Sequence, residues 1–473
     1  MLVGRQHEIR ILQEAATCDQ PQLIAVYGRR RVGKTYLIRE VFKNSFTFQH
    51  AGAYNKSRKI QLYLFHQSLL DAGLPKEDPS PNNWFEAFSL LKTVIRKSTQ
   101  KKKVIFIDEL SWMDTAKSDM IPALEHFWNA WASARNDIVL ILCSSATSWI
   151  INKVIHNKGG LYNRLTGRIY LPPFTLAQCR EFSQSRNLAL SDTQILELYM
   201  VLGGIPFYWD QLQKGYSVPQ NVDYLFFQQN APLHDEYTYL FASIFRNPAP
   251  YERIILALAG KRLGLTRNDL LESTGMSGSG TISRYLQELE ACGFIREYTY
   301  FGKKSKDALY QLIDPFVLFY HHFVSKKPKD PHFWTSMTNT PAMNTWCGLA
   351  FEQICLLHVD QIRNALGISG VLTNASSFLC KANPEEGITG SQIDLVLQRA
   401  DHVINLLEMK YTQGPYTLTK KDNEELRNKL SDFRLVTGTR DALHITMVTP
   451  FGLTANAYAN EVQSQIVAED LFK

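Results

Sequence analysis

No stretch of this 473-residue chain approaches the roughly 18 consecutive apolar residues that a membrane-spanning helix needs. The opening, "MLVGRQHEIRIL", lacks the apolar core of a signal peptide. The seven cysteines are scattered singly, with no CxxC pair, which argues against a disulfide framework and against a zinc knuckle. Charge excess is also small: +6 over this length permits nucleic-acid binding without arguing for it. These absences point to a protein of the reducing cytoplasm with no membrane partner. What is present is ordinary globular composition, 45% hydrophobic and 20% charged. The length suits about three or four domains, each with a core of its own.

The strongest local signal is "QLIAVYGRRRVGKTYLIREVF". Leu23 to Tyr27 is an apolar run of strand length. Gly28-Arg29-Arg30-Arg31-Val32-Gly33-Lys34-Thr35 follows and satisfies GxxxxGK[ST]. A helical pattern comes next, with Leu37, Ile38, Val41 and Phe42 on one side. Strand, glycine loop and helix together are the context of a phosphate-binding loop, whose backbone N–H groups close around phosphate oxygens at a helix N-terminus. In this arrangement Lys34 reaches the β- and γ-phosphates of ATP and Thr35 ligates Mg²⁺. The whole loop, Gly28 to Tyr36, is expected to line the nucleotide.

"KKKVIFIDELSWMD" supplies a buried strand, Val104 to Ile107, that ends in Asp108 and Glu109. Asp108 fits the acid that holds Mg²⁺, and Glu109 is positioned to polarise the attacking water. A third apolar strand, "DIVLILCSS", ends in Ser144 and Ser145, which serve either as a γ-phosphate sensor or as turn residues. "GGLYNRLTGRIYLPPF" then offers Arg164 and Arg168, each readable as an arginine finger or as a solvated loop residue.

The order of "LVGRQHEIRIL", the phosphate loop, "FIDE", the serine-tipped strand and "GGIP" (Gly203 to Pro206) resembles the STAND branch of AAA-type ATPases. More narrowly it is similar to the archaeal and bacterial ATPases that join this module to a winged helix and a nuclease-like tail. That resemblance implies that Gly4, Arg5 and Glu8 lie against the adenine. It also implies that Gly204 and Pro206 sit in a helical lid near the nucleotide.

From about Leu176 to Phe245 the pattern is helical and rich in aromatics, which read as core. Three helices follow, marked by Ile254, Ile255 and Leu258, by Thr266, Asp269 and Leu270, and by Ile282, Tyr285, Leu286 and Leu289. Two strands, Ile295 to Phe301 and Ala308 to Ile313, flank the turn "GKKSKD", so the segment reads as a winged helix. Its third helix exposes Arg284 and Gln287 beside Glu288 and Glu290. Its wing carries Lys303, Lys304 and Lys306, either solvated or gripping DNA phosphates without reading sequence. His321 and His322 are adjacent, point to different faces and are not expected to share a metal. "SKKPKDPHFW" reads as a linker.

The tail follows an α-β-β-β-α-β order that resembles the restriction-endonuclease core. Leu349 to Leu366 reads as a helix with Glu352 in its first turns, and strands are expected at Val371 to Cys380, Ser391 to Arg399 and Val403 to Tyr411. The strand "INLLEMKY" places Glu408 and Lys410 on one face. With Asp394 on the preceding strand this is similar to the PD-(D/E)XK motif, and Glu352 matches the helical glutamate often found with it. The resemblance implies Mg²⁺ held by Asp394 and Glu408, with Glu352 nearby and Lys410 orienting water. The rival reading is a buried Glu408–Lys410 ion pair.

The expected fold is thus α/β and multidomain. A phosphate-loop ATPase core (1–175) precedes a helical lid (176–245), a winged helix (246–325), a linker (326–340) and a nuclease-like domain (341–473). The expected function is ATP hydrolysis coupled to DNA binding and metal-dependent cleavage, with ATP and DNA as partners and self-association left open. The alternative is a nucleotide-gated signalling or transcription switch with an inactive tail.

Overall fold

The structure, a computed structural model, describes residues 2–156, 159–161, 163–276, 278–303 and 307–473, with Ser279 described by its backbone alone. The chain divides into two units, 1–173 with 238–248, and 174–237 with 249–473.

The first unit is built on five strands: β1 (Gln22–Tyr27), β2 (Phe48–Ala51), β3 (Lys103–Asp108), β4 (Ile138–Ser144) and β5 (Gly167–Tyr170). They lie in the order β2-β3-β4-β1-β5, and every pairing is parallel. Strands β3 and β4 are buried along their full length, which is why they read as continuous apolar runs rather than alternating ones. One face of the sheet packs against the helices Arg58–Asp71, Trp84–Lys97 and Met120–Ala130 through Phe65, Trp84, Phe88, Leu124 and Phe127. Register pairs Tyr27 with Ser144 and Ala51 with Asp108, so the C-terminal tips of β1, β3 and β4 come out along one edge. In an open parallel sheet that edge is where ligands bind.

The second unit begins with the helices Leu176–Ser185, Asp192–Leu202, Pro206–Trp209 and Val218–Phe226. Three of them start at capping boxes, Thr175 with Gln178, Ser191 with Gln194 and Ser217 with Gln220. The "GGIP" turn is a packing device in this unit: a Cβ on Gly204 would lie 1.9 Å from the carbonyl oxygen of Phe174. The backbone N–H of Phe174 donates to Gly204 O at 2.6 Å, and Trp209 Nε1 donates to Gly203 O at 2.7 Å.

The helices Ala249–Ala259, Arg267–Thr274 and Ser279–Ala291 follow, with the strands β6 (Leu265–Thr266), β7 (Ile295–Tyr298) and β8 (Leu309–Leu312) in an antiparallel sheet ordered β6-β8-β7. Ile282, Leu286 and Leu289 are buried as the helical pattern requires. The segment expected to be a linker carries the short helix Phe333–Ser336. Its backbone is tied down by Asp223, fully buried, whose carboxylate accepts from Trp334 N at 2.7 Å, Thr335 N at 3.1 Å and Thr335 Oγ1 at 2.6 Å.

The last sheet contains β9 (Thr373–Leu379), β10 (Gln392–Arg399), β11 (Val403–Met409), β12 (Ala442–Val448) and β13 (Ser464–Ile466), ordered β13-β12-β11-β10-β9. Pairings from β9 to β11 are antiparallel and those from β11 to β13 are parallel, with the helix Lys420–Thr437 as the crossover from β11 to β12. The preceding helix begins earlier than its pattern suggests. It runs Pro341–Leu357, with Thr340 capping and Pro341 at its first turn, so Glu352 lies near its end rather than its start. Among the described residues no helix is long and apolar enough to cross a membrane.

The break after Leu357 is made by His358, which is buried, donates through Nδ1 to Ile354 O at 2.8 Å and accepts from Leu176 N at Nε2, 3.1 Å away. Burial pulls its pKa down from 6.5 to about 4. The unfolded ring therefore takes up a proton that the folded ring refuses, and stability should fall as pH drops from 6.5 towards 4. His321, held near 4 chiefly by burial, adds to the same window. His358→Gln should therefore make the pH dependence shallower without abolishing it. Urea unfolding at several pH values measures this, and an unchanged slope would rule out the role given to His358.

Candidate functional site

The phosphate loop leaves β1 through two glycines in left-handed backbone, Gly28 (φ 142°) and Gly33 (φ 94°), with Arg31 also at positive φ. Gly28 is required twice over, since a Cβ there would lie 2.3 Å from Leu171 O. Lys34 opens the helix Lys34–Phe42 and is buried. Its ammonium donates to Gly28 O at 2.8 Å, Arg29 O at 2.9 Å and Ser145 Oγ at 3.1 Å. Thr35 Oγ1 donates to Asp108 Oδ2 at 2.6 Å. Asp108 Oδ1 accepts from the backbone of Glu109 at 2.9 Å, and Glu109 stands at positive φ (46°). The Glu109 carboxylate is held on its other side by Ser145, through Oγ at 2.7 Å and the backbone N–H at 3.3 Å.

Ser145 therefore links the loop lysine to the strand-tip glutamate, whereas Ser144 turns aside to Ser111 Oγ at 3.0 Å and caps Ala146 N at 3.1 Å. Two serines that the sequence left equivalent thus differ, one bonded to the charged groups and the other closing a turn. Thr35 and Asp108 bring two oxygen donors together, which suits a hard divalent cation such as Mg²⁺. Arg29 and Val32 are buried, Arg30 and Arg31 half-buried, and Tyr36 is exposed. Gly4 and Arg5 are both in left-handed backbone at the start of the helix Gln6–Thr17, and Arg5 donates to Pro172 O at 2.5 Å. Glu8 lies in the first turn of that helix. Gly204 and Pro206 belong to the second unit, in the turn described above. Arg164 and Arg168 are exposed, with Arg168 on the edge strand β5.

The second cluster lies on the β9–β13 sheet. Leu395 pairs with Leu407 across the antiparallel β10–β11 ladder, so the next pair in that register is Asp394 opposite Glu408, on one face. Asp394 accepts from Gln392 Nε2 at 3.0 Å and from Arg262 Nη2 at 3.2 Å. Glu352 takes Arg262 bidentately, Nε to Oε2 at 2.9 Å and Nη2 to Oε1 at 2.6 Å. Glu408 Oε1 meets Lys410 Nζ at 3.0 Å, and Oε2 meets Lys429 Nζ at 2.5 Å. Burial and the Glu408 charge push the Asp394 carboxyl above its usual range, and burial with the Asp394 charge does the same to Glu352. Burial works against the charge of Arg262, and Glu352 and Asp394 outweigh it.

The sequence offered two rival accounts of Glu408, and the geometry contains elements of both. The Glu408–Lys410 pair is present, and so is the facing carboxylate of Asp394. Among the described residues no three ligating side chains converge closely enough for one ion. Arg262 and Lys429 were missed. Arg262 lies 132 positions from Asp394 in a loop without motif, and Lys429 is one charge on a helix full of them. Of the wing lysines, Lys303 is exposed, while Lys304 and Lys306 lie outside the described residues. Glu288 and Glu290 are engaged rather than facing outward freely: Glu288 accepts from Tyr251 Oη and Glu290 from Glu297 N at 3.0 Å. Arg284 and Gln287 are exposed.

Residues 2–212 match a family model described as an ATPase domain predominantly from Archaea. The match spans 211 of the 473 residues. An uncharacterised protein of Methanocaldococcus jannaschii is 25% identical over 336 residues, 68% of this chain and 69% of the relative. An uncharacterised ATP-binding protein of the same organism is 43% identical over 44 residues, 9% of this chain and 75% of that protein. Among solved structures the chain is similar to the Walker-type ATPase of Pyrococcus abyssi, with TM-score 0.46 and 17% identity over 67% of this chain and 95% of that one. It is also similar to the ORC2 protein of Aeropyrum pernix, with TM-score 0.40 and 14% identity over 69% of this chain and 95% of that one.

The loop geometry carries a direct expectation. Gly28→Ala adds a methyl where the Leu171 carbonyl already stands and forces a side chain into left-handed backbone. It should destabilise the chain by roughly 1–3 kcal/mol and weaken nucleotide binding along with it. Thermal unfolding with and without ATP tests this, and a variant with wild-type stability would show that the loop has room it is not seen to have.

Proposed function

We propose that this chain is a Mg²⁺-dependent ATPase whose nucleotide state controls a DNA-directed tail. The observation that carries the ATPase reading is the hydrogen-bonded series Lys34–Ser145–Glu109 at the tips of three parallel strands. Lys34 spends its donors on two loop carbonyls and Ser145 in this structure. Phosphate oxygens are stronger acceptors than these, so ATP would draw the ammonium away from Ser145. Glu109 then keeps a single hydroxyl and one backbone N–H as its support and accepts the proton of an attacking water. Thr35 and Asp108 would hold the Mg²⁺, which neutralises phosphate charge when bound. Arg164 or Arg168, both exposed, would reach the nucleotide from this chain or from a second copy. Gly4, Arg5 and Glu8 would lie against the adenine, with Gly204 and Pro206 serving a lid.

In the second unit, the three helices and hairpin at 249–313 support a winged-helix reading, with DNA phosphates gripped at the basic turn that holds Lys303. The tail supports a PD-(D/E)XK reading, because Asp394 and Glu408 share a face on adjacent strands with Lys410 two residues on and Glu352 alongside. Glu352 and Asp394 share the Arg262 guanidinium, and a pair of carboxylates completed by water is a ligand set that suits Mg²⁺. A bound ion there would polarise a phosphodiester and lower the pKa of water. One observation favours a second reading, a nucleotide-gated switch with an inactive tail: Glu408 is bonded on both oxygens by lysines.

One measurement tests the ATPase, and a second separates the two readings of the tail. Lys34→Ala should lose ATP binding, while Glu109→Gln should bind ATP and turn over about 10²–10⁴-fold more slowly. Full turnover by Glu109→Gln would remove its role. In the tail, Asp394→Ala should abolish Mn²⁺-dependent plasmid nicking with little loss of stability. Glu408→Ala leaves two half-buried lysines without their shared carboxylate and should also lower the unfolding temperature, by less than the loss of a fully buried pair would. No nicking by the wild type or by variants that free the acids would favour the switch.

A further inference from the structure

The acidic face of the tail is neutralised in part from outside the tail. Three carboxylates, Glu352, Asp394 and Glu408, meet three cations, Arg262, Lys410 and Lys429. Two of these cations belong to the tail itself. The third does not: Arg262 comes from the turn between the helix Ala249–Ala259 and β6, and it is the one that bridges two carboxylates on different elements.

That turn is held in position. The backbone carbonyl of Arg262 accepts from Gln311 Nε2 at 2.5 Å, and Gln311 Oε1 in turn accepts from Arg296 Nε at 2.8 Å. Leu263 O accepts from Tyr298 Oη at 2.6 Å. Gly264, at φ 72°, passes so close to β8 that a Cβ would lie 2.2 Å from Tyr310 O. The guanidinium is thus presented from a braced turn on the β7–β8 hairpin. The hairpin is itself seated on β9 through Phe301 N, which donates to Ser377 O at 2.7 Å, and on the helix Lys420–Thr437 through the Phe301 ring against Phe433.

We propose that Arg262 is a latch: its guanidinium stands where a divalent cation shared by Glu352 and Asp394 would bind, and it must leave before the tail can take up metal. This rests on the metal-site reading of the tail given above. Both demand the same oxygens. The Nη2 of Arg262 contacts Glu352 and Asp394 at once, and a bidentate guanidinium–carboxylate pair is a strong, geometrically specific competitor. A cation and a fixed guanidinium cannot occupy one small space between the same carboxylates, so the two states exclude each other. The latch is also carried on the segment read as DNA-binding, so a polyanion pulling on the hairpin would act on the turn that presents Arg262.

The test is Mn²⁺ binding to the full chain without nucleotide, followed by electron paramagnetic resonance of the free ion. Wild type, Arg262→Ala, Asp394→Asn and the double variant are compared, and sites insensitive to Asp394→Asn are counted as lying elsewhere. The expected result is an Asp394-dependent Mn²⁺ site in Arg262→Ala that binds at least about tenfold more tightly than in wild type, with Arg262→Lys between the two. Equal Asp394-dependent binding in wild type and Arg262→Ala would overturn the latch and leave the metal reading standing. Absence of an Asp394-dependent site from every protein would overturn both. Circular dichroism checks the fold, and Arg262→Gln, which keeps a polar side chain, replaces the alanine variant if that one unfolds.

Discussion

A charge removed from water must be met by an opposite charge or by well-placed hydrogen bonds, or the fold cannot keep it. That constraint organises both clusters of this chain. In the first unit the buried ammonium of Lys34 is satisfied by two carbonyls and a serine, and that serine satisfies Glu109 in turn. In the second, the carboxylates of Glu352, Asp394 and Glu408 are met by one arginine and two lysines. Under the proposed function, a phosphate at the first cluster and a metal ion at the second would compete for some of these partners.

The fold supplies the rigidity that such substitution needs. The parallel sheet places three strand tips along one edge, so Gly28, Glu109 and Ser145 meet although they lie far apart in sequence. In the tail, antiparallel register places Asp394 opposite Glu408 on one face. Close backbone approaches fix the surroundings. Gly28 against Leu171, Gly204 against Phe174 and Gly264 against Tyr310 each leave no room for a Cβ. Two of these glycines lie in stretches that read as functional motifs, and each has a steric reason to be there that is separate from any ligand.

Much of this was legible in the chain. The phosphate loop, the strand before it and the acid strand follow from apolar runs with glycine and charge at their ends, which local sequence records. The tail strands were legible for a similar reason, and the helix marked by Thr266, Asp269 and Leu270 is present, opening on a capping box that spans only four residues. Less legible were features that depend on a distant partner. The helix holding Glu352 ends where His358 bonds to Leu176, 182 positions away, whereas its start, with Thr340 capping and Pro341 in the first turn, is a local feature that the apolar pattern does not mark. The stretch with two prolines looked like a linker, yet its helix is tied down by Asp223, 111 positions away. Ser144 and Ser145 look alike in sequence and are separated only by which way each faces.

Local elements follow from local sequence: strands from apolar runs, turns from glycine, and the phosphate loop from its glycines and lysine. The sequence by itself also determined which residue types were available for chemistry. Only the tertiary structure decided how their charges are spent. Whether Glu408 faces Asp394 depends on strand register, and whether Glu352 and Asp394 are open or bridged depends on Arg262, 132 residues before Asp394. The physical reason is range. Propensity, capping and turn chemistry act over a few residues, whereas pairing a buried charge selects whatever partner folding brings within about 3 Å, without regard to its position in the chain.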